Sequence, residues 1–157
     1  SHKLKYHPQV IDAGRFVNDS MGGYIGKKVV KSLIHLGRNV MASKVLVMGI
    51  TFKEDVSDIR NSKVVDIIRE LQDYGASVEI VDPLADGAEV RAEYGLELVS
   101  SPQPHGYDAV IVAVPHKNYH GLSEEFFQSL TTSPNALLAD IKGLYRGQIT
   151  HMTYWSL

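Results

Sequence analysis

The densest run of chemically capable side chains is Gly49-Ile50-Thr51-Phe52-Lys53-Glu54-Asp55-Val56-Ser57-Asp58-Ile59-Arg60-Asn61-Ser62, directly after the apolar run Val45-Leu46-Val47-Met48. Phe52 can stack on or shield a flat ring, and Lys53 beside it is a flexible cation for phosphate or carboxylate. The same pair also fits a plain domain, with Phe52 in the core and Lys53 on the surface. Arg60 stands just before a helical pattern, where the helix dipole disfavours a cation. It therefore either pairs with Asp58 or Asp55 or reaches outward to a ligand anion. A further acid and cation follow another apolar run at Asp140-Ile141-Lys142-Gly143. Lys53 and Lys142, converging from different loops, suit a diphosphate better than a buried apolar substrate.

Other chemistries lack their parts. A dinucleotide fingerprint needs Gly-x-Gly-x-x-Gly to bring backbone against a pyrophosphate, and Gly49 stands alone, with Thr51 at the next glycine's place. Asp82 resembles a ribose-binding acid by position, but without those glycines Asp82-Pro83 reads as a strand-terminating turn. Pro115-His116 could offer a general base, yet no carboxylate adjoins it in sequence to orient the ring, so His116 reads as a surface residue of the rim. The absence of cysteine removes thiol catalysis, disulfides and thiolate metal sites. The seven histidines show no metal-ligand spacing, so neither a metal nor a catalytic residue is expected here.

The elements that must carry these loops follow from periodicity. Short apolar runs without alternation at 44–49, 77–81, 109–114 and 136–139 read as strands covered on both faces. Helical patterns separate them. Residues 62–74 place Val64, Ile67, Ile68 and Leu71 on one face and stop at Gly75. Asp86 with Glu89 can cap a helix ending near Gly95, and Ser123 precedes a third carrying Phe126, Phe127 and Leu130. Strands alternating with helices predict an α/β domain with right-handed crossovers and a mainly parallel sheet. Residues 149–157 alternate like an edge strand of unreadable direction. In such a sheet ligands bind beyond the carboxyl ends of the strands, which selects 49–60, 82–86, 115–121 and 140–146.

Ahead of the sheet, residues 8–38 carry Val10, Ala13, Val17, Met21, Ile25, Val29 and Leu33 at steps of three and four, the stripe of one long helix. About 30 residues would span roughly 45 Å. Gly14, Gly22, Gly23 and Gly26 weaken it by up to about 1 kcal/mol each, so it either packs against something or bends near Gly22-Gly23. Its apolar stripe serves either this domain's own sheet or, as a linker helix, another domain or a second subunit.

Length and charge set the outer bounds. The 157 residues suffice for one well-filled core. A formal net charge of −2 leaves no basic excess for a phosphate backbone, which argues against nucleic acid as partner. No apolar run reaches the length of a membrane span and none follows the basic start as a signal peptide would, so no membrane partner is expected.

The wording of the long loop, with Val17-Asn18-Asp19-Ser20-Met21 before it and Val81-Asp82-Pro83 after it, closely resembles the UDP-glucose/GDP-mannose dehydrogenase family. Phe52-Lys53-Glu54, Arg60-Asn61-Ser62-Lys63 and Asp140-Ile141-Lys142-Gly143 look most like its bacterial branch acting on UDP-N-acetylhexosamines such as UDP-N-acetylgalactosamine or UDP-N-acetylmannosamine, for surface polysaccharide. The resemblance implies a Rossmann-like three-layer domain at 40–157 that binds the UDP-sugar, preceded at 1–39 by a central linker and dimerisation helix. It places the NAD-binding domain, with the catalytic cysteine, upstream of Ser1. Phe52 and Lys53 correspond to the pair contacting the UDP-sugar, Lys142 lies near a substrate-binding arginine of the family, and Arg60 matches an arginine that reaches NAD across the cleft. The full-length reaction implied is a cytoplasmic, homodimeric, NAD-dependent oxidation of the sugar C6 alcohol to a carboxylate. This stretch alone would be inactive. UDP-glucose or GDP-mannose dehydrogenation, or a non-catalytic nucleotide-binding or oligomerisation module, are the alternatives.

Overall fold

The central strands are uniformly buried because each is packed between two helical layers. The computed structural model describes residues 13–157, and side chains from residue 21 onward. Helix α1 (Ala13–His35) precedes a chain that alternates β1 (Lys44–Met48), α2 (Val64–Asp73), β2 (Ser77–Val81), α3 (Gly87–Tyr94), β3 (Ala109–Val112), α4 (Glu124–Leu130), β4 (Leu137–Asp140) and β5 (Thr153–Trp155). The five strands pair in the order β2-β1-β3-β4-β5, all in parallel, so the expected edge strand exists and runs with the others.

Alternation along each strand sorts the core into two. Val45, Val47, Ala109, Ile111, Leu137 and Ala139 join one apolar cluster with α1, α2 and Val90 of α3. Leu46, Met48, Val110, Val112 and Leu138 point the other way, onto Phe127 and Leu130 of α4 and onto Tyr145. The helix-end signals of Asp86, Ser123, Gly75 and Gly95 act as read, whereas the cap at Asp86 is made by its own carboxylate without a bond from Glu89. Asp86 accepts the Ala88 N–H at 2.8 Å, Ser123 accepts the Phe126 N–H at 3.1 Å, and Gly75 and Gly95 take the left-handed conformation beyond α2 and α3.

Helix α1 lies on the domain's own core, with Ile25, Val29, Val30 and Leu33 buried. Burial of four such side chains, at about 1.5–3 kcal/mol each, outweighs its glycines. The glycines also have a packing purpose. A Cβ on Gly22 would stand 2.4 Å from Cβ of Asp66, and one on Gly26 would stand 2.6 Å from Cβ of Glu70, so these positions let α1 ride directly on α2. The helix is unbroken across Gly22-Gly23. Of the predicted stripe, Val10 lies outside the described residues, as do the side chains of Ala13 and Val17.

Candidate functional site

The chain leaves β1 toward β2 on one side and β3 toward β4 on the other, so a crevice opens between the carboxyl ends of β1 and β3. The loop after β1 fills that point, running from Gly49 to Lys63 before α2 begins. Gly49 has φ of +100°, and a Cβ there would sit 2.6 Å from Cβ of Val114, so glycine is needed for the β1 and β3 loops to touch. The tip of the loop turns sharply. Thr51 Oγ1 donates to the Lys53 carbonyl at 2.8 Å, and the Phe52 N–H donates to the Asp58 carbonyl at 2.7 Å. Tyr94, from the end of α3, donates its hydroxyl to the Ile59 carbonyl at 2.6 Å and pins the returning arm.

A cleft of about 220 Å³ lies under this tip, walled by α1 and α2. Phe52, Lys53 and Lys142 all line it, with Lys63 at the start of α2 adding a third lysine. Ile25, Val64, Ile67 and Val114 form its apolar side. Phe52 is 54% exposed, so it is a wall of the cleft and not part of the core. Lys63 enters the sequence reading only within the family wording and not as a site residue. The signal was its place one residue ahead of the helix, which puts it on the same rim. Three cations and one aromatic face around an apolar cleft suit a ligand with several negative charges at one end, although Glu54 also stands on the rim.

Arg60 is not in this group. Its guanidinium makes two bonds to Asp58, Nε to Oδ1 at 3.0 Å and Nη2 to Oδ2 at 3.1 Å, and its side chain is 77% exposed. The arginine holds the Asp58 carboxyl below the usual carboxylate range. The pair faces outward beyond the cleft, and of the two alternatives read from the sequence the local ion pair is the one formed. Asp140 is also unavailable for ligands, being fully buried and accepting the Leu144 and Tyr145 N–H groups at 3.0 and 2.7 Å and the Tyr154 hydroxyl at 2.6 Å. Burial and then that last bond push Tyr154 up to about 12. Asp140 thus anchors the turn that presents Lys142.

His116 corrects the sequence reading. It is a fully buried residue and no part of the surface, and its orienting carboxylate is Asp82, from the end of another strand. His116 Nδ1 accepts the Asp55 N–H at 3.0 Å, which assigns the ring proton to Nε2, 3.0 Å from Asp82 Oδ2 and 3.2 Å from Thr51 Oγ1. Both nitrogens are engaged and the ring is sealed from solvent, so this histidine is not a general base. Asp82 is equally occupied, its Oδ2 accepting the Ile50 N–H at 2.7 Å and its Oδ1 those of Leu84 and Ala85 at 2.8 and 3.1 Å. It is more than the turn residue it was read as, and it has no oxygen left for a ribose. Together with the lone glycine after β1, this means the residues present do not build a dinucleotide cradle. Among the described residues no group of histidines and carboxylates could hold a metal ion, and no helix is long and apolar enough to cross a membrane.

Comparison with known proteins agrees with the fold. The UDP binding domain of the UDP-glucose/GDP-mannose dehydrogenase family matches residues 46–147. The UDP-N-acetyl-D-glucosamine 6-dehydrogenase of Salmonella typhi is 44% identical over 80% of this chain and 29% of its own length. The enzyme of the same name from Pseudomonas aeruginosa is 38% identical over 92% of this chain and 34% of its own. Among solved structures, a UDP-D-ManNAc dehydrogenase from Pyrococcus horikoshii superposes with a TM-score of 0.79 at 16% identity, covering 97% of this chain and 34% of that one, a likeness of fold. The chain spans about a third of the length of the curated relatives it matches.

Proposed function

Since the chain belongs to the UDP-glucose/GDP-mannose dehydrogenase family, we propose that it is the nucleotide-sugar-binding portion, residues 40–157, of an NAD-dependent dehydrogenase. The complete enzyme would oxidise the C6 alcohol of a UDP-N-acetylhexosamine to the uronate, in the cytoplasm, for surface polysaccharide. The observation that carries this reading is the cleft in which Phe52, Lys53 and Lys142 meet under the loop after β1. The first two relatives bear the glucosamine name, so the gluco sugar joins the galacto and manno epimers as a candidate donor.

The chain's own work is grip and position. Lys53 and Lys142 neutralise the diphosphate, with the start of α2 at Lys63 adding its dipole, and Phe52 shields the nucleotide side from water. Holding the donor by this remote end fixes C6 against reactive groups on the upstream domain, so that binding energy is used for orientation. NAD, when bound by that domain, supplies the hydride acceptor. Arg60 would make an outward contact to it by exchanging its bonds to Asp58 for the cofactor, an exchange that its exposed guanidinium allows. Residues 1–39 would serve as linker and homodimer helix, which sedimentation of the complete protein tests, a monomer refuting it.

Calorimetric titration of the full-length protein with UDP and with uridine tests the cleft. UDP should bind at least tenfold more tightly than uridine, because the lysines answer the diphosphate. Equal affinity for the two would refute the assignment.

A further inference from the structure

Phe52 and Lys53 sit at the tip of a loop with no regular structure of its own, so something else must hold them against the cleft. The groups that do so come from the ends of β2 and β3. On the incoming arm, Asp82 takes the Ile50 N–H and His116 Nε2 lies 3.2 Å from Thr51 Oγ1. On the outgoing arm, His116 Nδ1 takes the Asp55 N–H, and the Asp55 carboxylate in turn accepts the Lys117 N–H at 2.8 Å. Phe52 and Lys53 lie between these two attachments. Asp55 has φ of +60°, a left-handed conformation that a non-glycine residue takes only when its surroundings hold it there.

We propose that His116, with its ring anchored on Asp82, is the positioning residue that sets Phe52 and Lys53 against the cleft, by taking the Asp55 N–H of the outgoing arm while Asp82 holds the incoming arm through the Ile50 N–H. The inference rests on the reading of that cleft as the UDP-sugar site. His116 is suited to the task by chemistry as well as place. It is fully buried just beyond β3, whose four residues are all buried, so its ring is a rigid post. Its two nitrogens face opposite demands, an acceptor toward the Asp55 N–H and a donor toward Asp82. A neutral imidazole meets both, while an apolar side chain would leave Asp82 Oδ2 and the Asp55 N–H each short of a partner. The ring does not reach the cleft surface, so its effect on the donor passes through the loop.

The test is made on the full-length protein with His116→Leu, His116→Asn and His116→Gln, measuring UDP affinity by calorimetry, NAD affinity by fluorescence titration and the thermal midpoint. An asparagine amide oxygen can replace Nδ1 as acceptor for Asp55, whereas a glutamine amide nitrogen can replace only the Nε2 donor. The expected result is a loss of UDP affinity of about tenfold or more in His116→Leu and His116→Gln, with substantial recovery in His116→Asn and NAD affinity within about twofold throughout. Should His116→Leu fail to fold, the asparagine and glutamine variants carry the comparison. Folded variants that all bind UDP like the parent overturn the inference and leave the cleft assignment standing. UDP and NAD affinity falling together, in proportion to lost folded protein, also overturns it, because the role is then only structural. A parent protein that binds no UDP overturns the cleft assignment itself, and this inference with it.

Discussion

Replacing Gly22 and Gly23 of α1 by alanine, one at a time, should change stability in opposite directions. Alanine favours a helix over glycine by up to about 1 kcal/mol at either position. At Gly22 the new Cβ would stand 2.4 Å from Cβ of Asp66 and 3.2 Å from the Ile67 nitrogen. Ordinary carbon contacts need about 3.5–4.0 Å, so α1 must retreat from α2 by more than about 1 Å. Overpacking of this kind costs about 1–3 kcal/mol, which offsets the propensity gain and leaves a net loss of up to about 2 kcal/mol. At Gly23 the nearest atom is Oε1 of Glu70 at 3.6 Å, an ordinary contact, so the propensity gain survives. For a chain of this size the midpoints should move by about 4 °C down for Gly22→Ala and about 2 °C up for Gly23→Ala. Circular dichroism melts, with guanidinium unfolding as a check, read both. A Gly22→Ala protein as stable as the parent, or a Gly23→Ala protein that falls with it, would refute the close crossing of α1 on α2. The crossing matters for the cleft, since Met21, Gly22 and Ile25 face Val64 and Ile67 across it.

Two other substitutions follow from the electrostatics. Glu124 accepts the Met152, His151 and Thr150 N–H groups at 2.8, 2.7 and 3.1 Å, and these bonds hold its carboxyl down at about 2, below the ordinary 4.5. Because the folded value is the lower one, the stabilisation is complete above about pH 4.5 and is lost as pH falls toward 2. Glu124→Gln should therefore cost about 1–2 kcal/mol at pH 7, after allowing for solvent screening, and much less at pH 3. Thermal melts at the two pH values check this, and an undiminished gap at pH 3 would contradict it. Arg60→Ala removes an exposed ion pair, so the melting temperature of the full-length protein should not move while its KM for NAD rises severalfold. An unchanged KM for NAD would count against the outward contact.

Strand and helix positions were legible because each rested on a local signal. The unalternating runs at β1, β3 and β4 reported burial on both faces, and Asp86, Ser123, Gly75 and Gly95 marked helix ends by their own chemistry. The convergence of Phe52, Lys53 and Lys142 was legible from topology, since ligands collect at the carboxyl edge of a parallel sheet. His116 was misread for the complementary reason. Its partner Asp82 is 34 residues away, and only the strand order β2-β1-β3 brings the two ends together around the intervening loop. The packing of α1 was legible from its glycines, but the partner was not. Along the chain a helix glycine is a propensity cost, and its use becomes visible only when Asp66 and Glu70 of α2 are seen against it. The choice between partners for Arg60 turned on loop geometry, where the tight return through Phe52 and Asp58 puts the carboxylate beside the guanidinium.

In the proposed function the loop after β1 grips the diphosphate of a nucleotide sugar through Lys53. Steady-state kinetics of the full-length Lys53→Ala enzyme, with the UDP-N-acetylhexosamine and NAD varied in turn, tests it most directly. The donor KM should rise by about tenfold or more, with a matching fall in kcat/KM for the donor and a KM for NAD within about twofold. Donor KM and kcat/KM equal to those of the parent would contradict it.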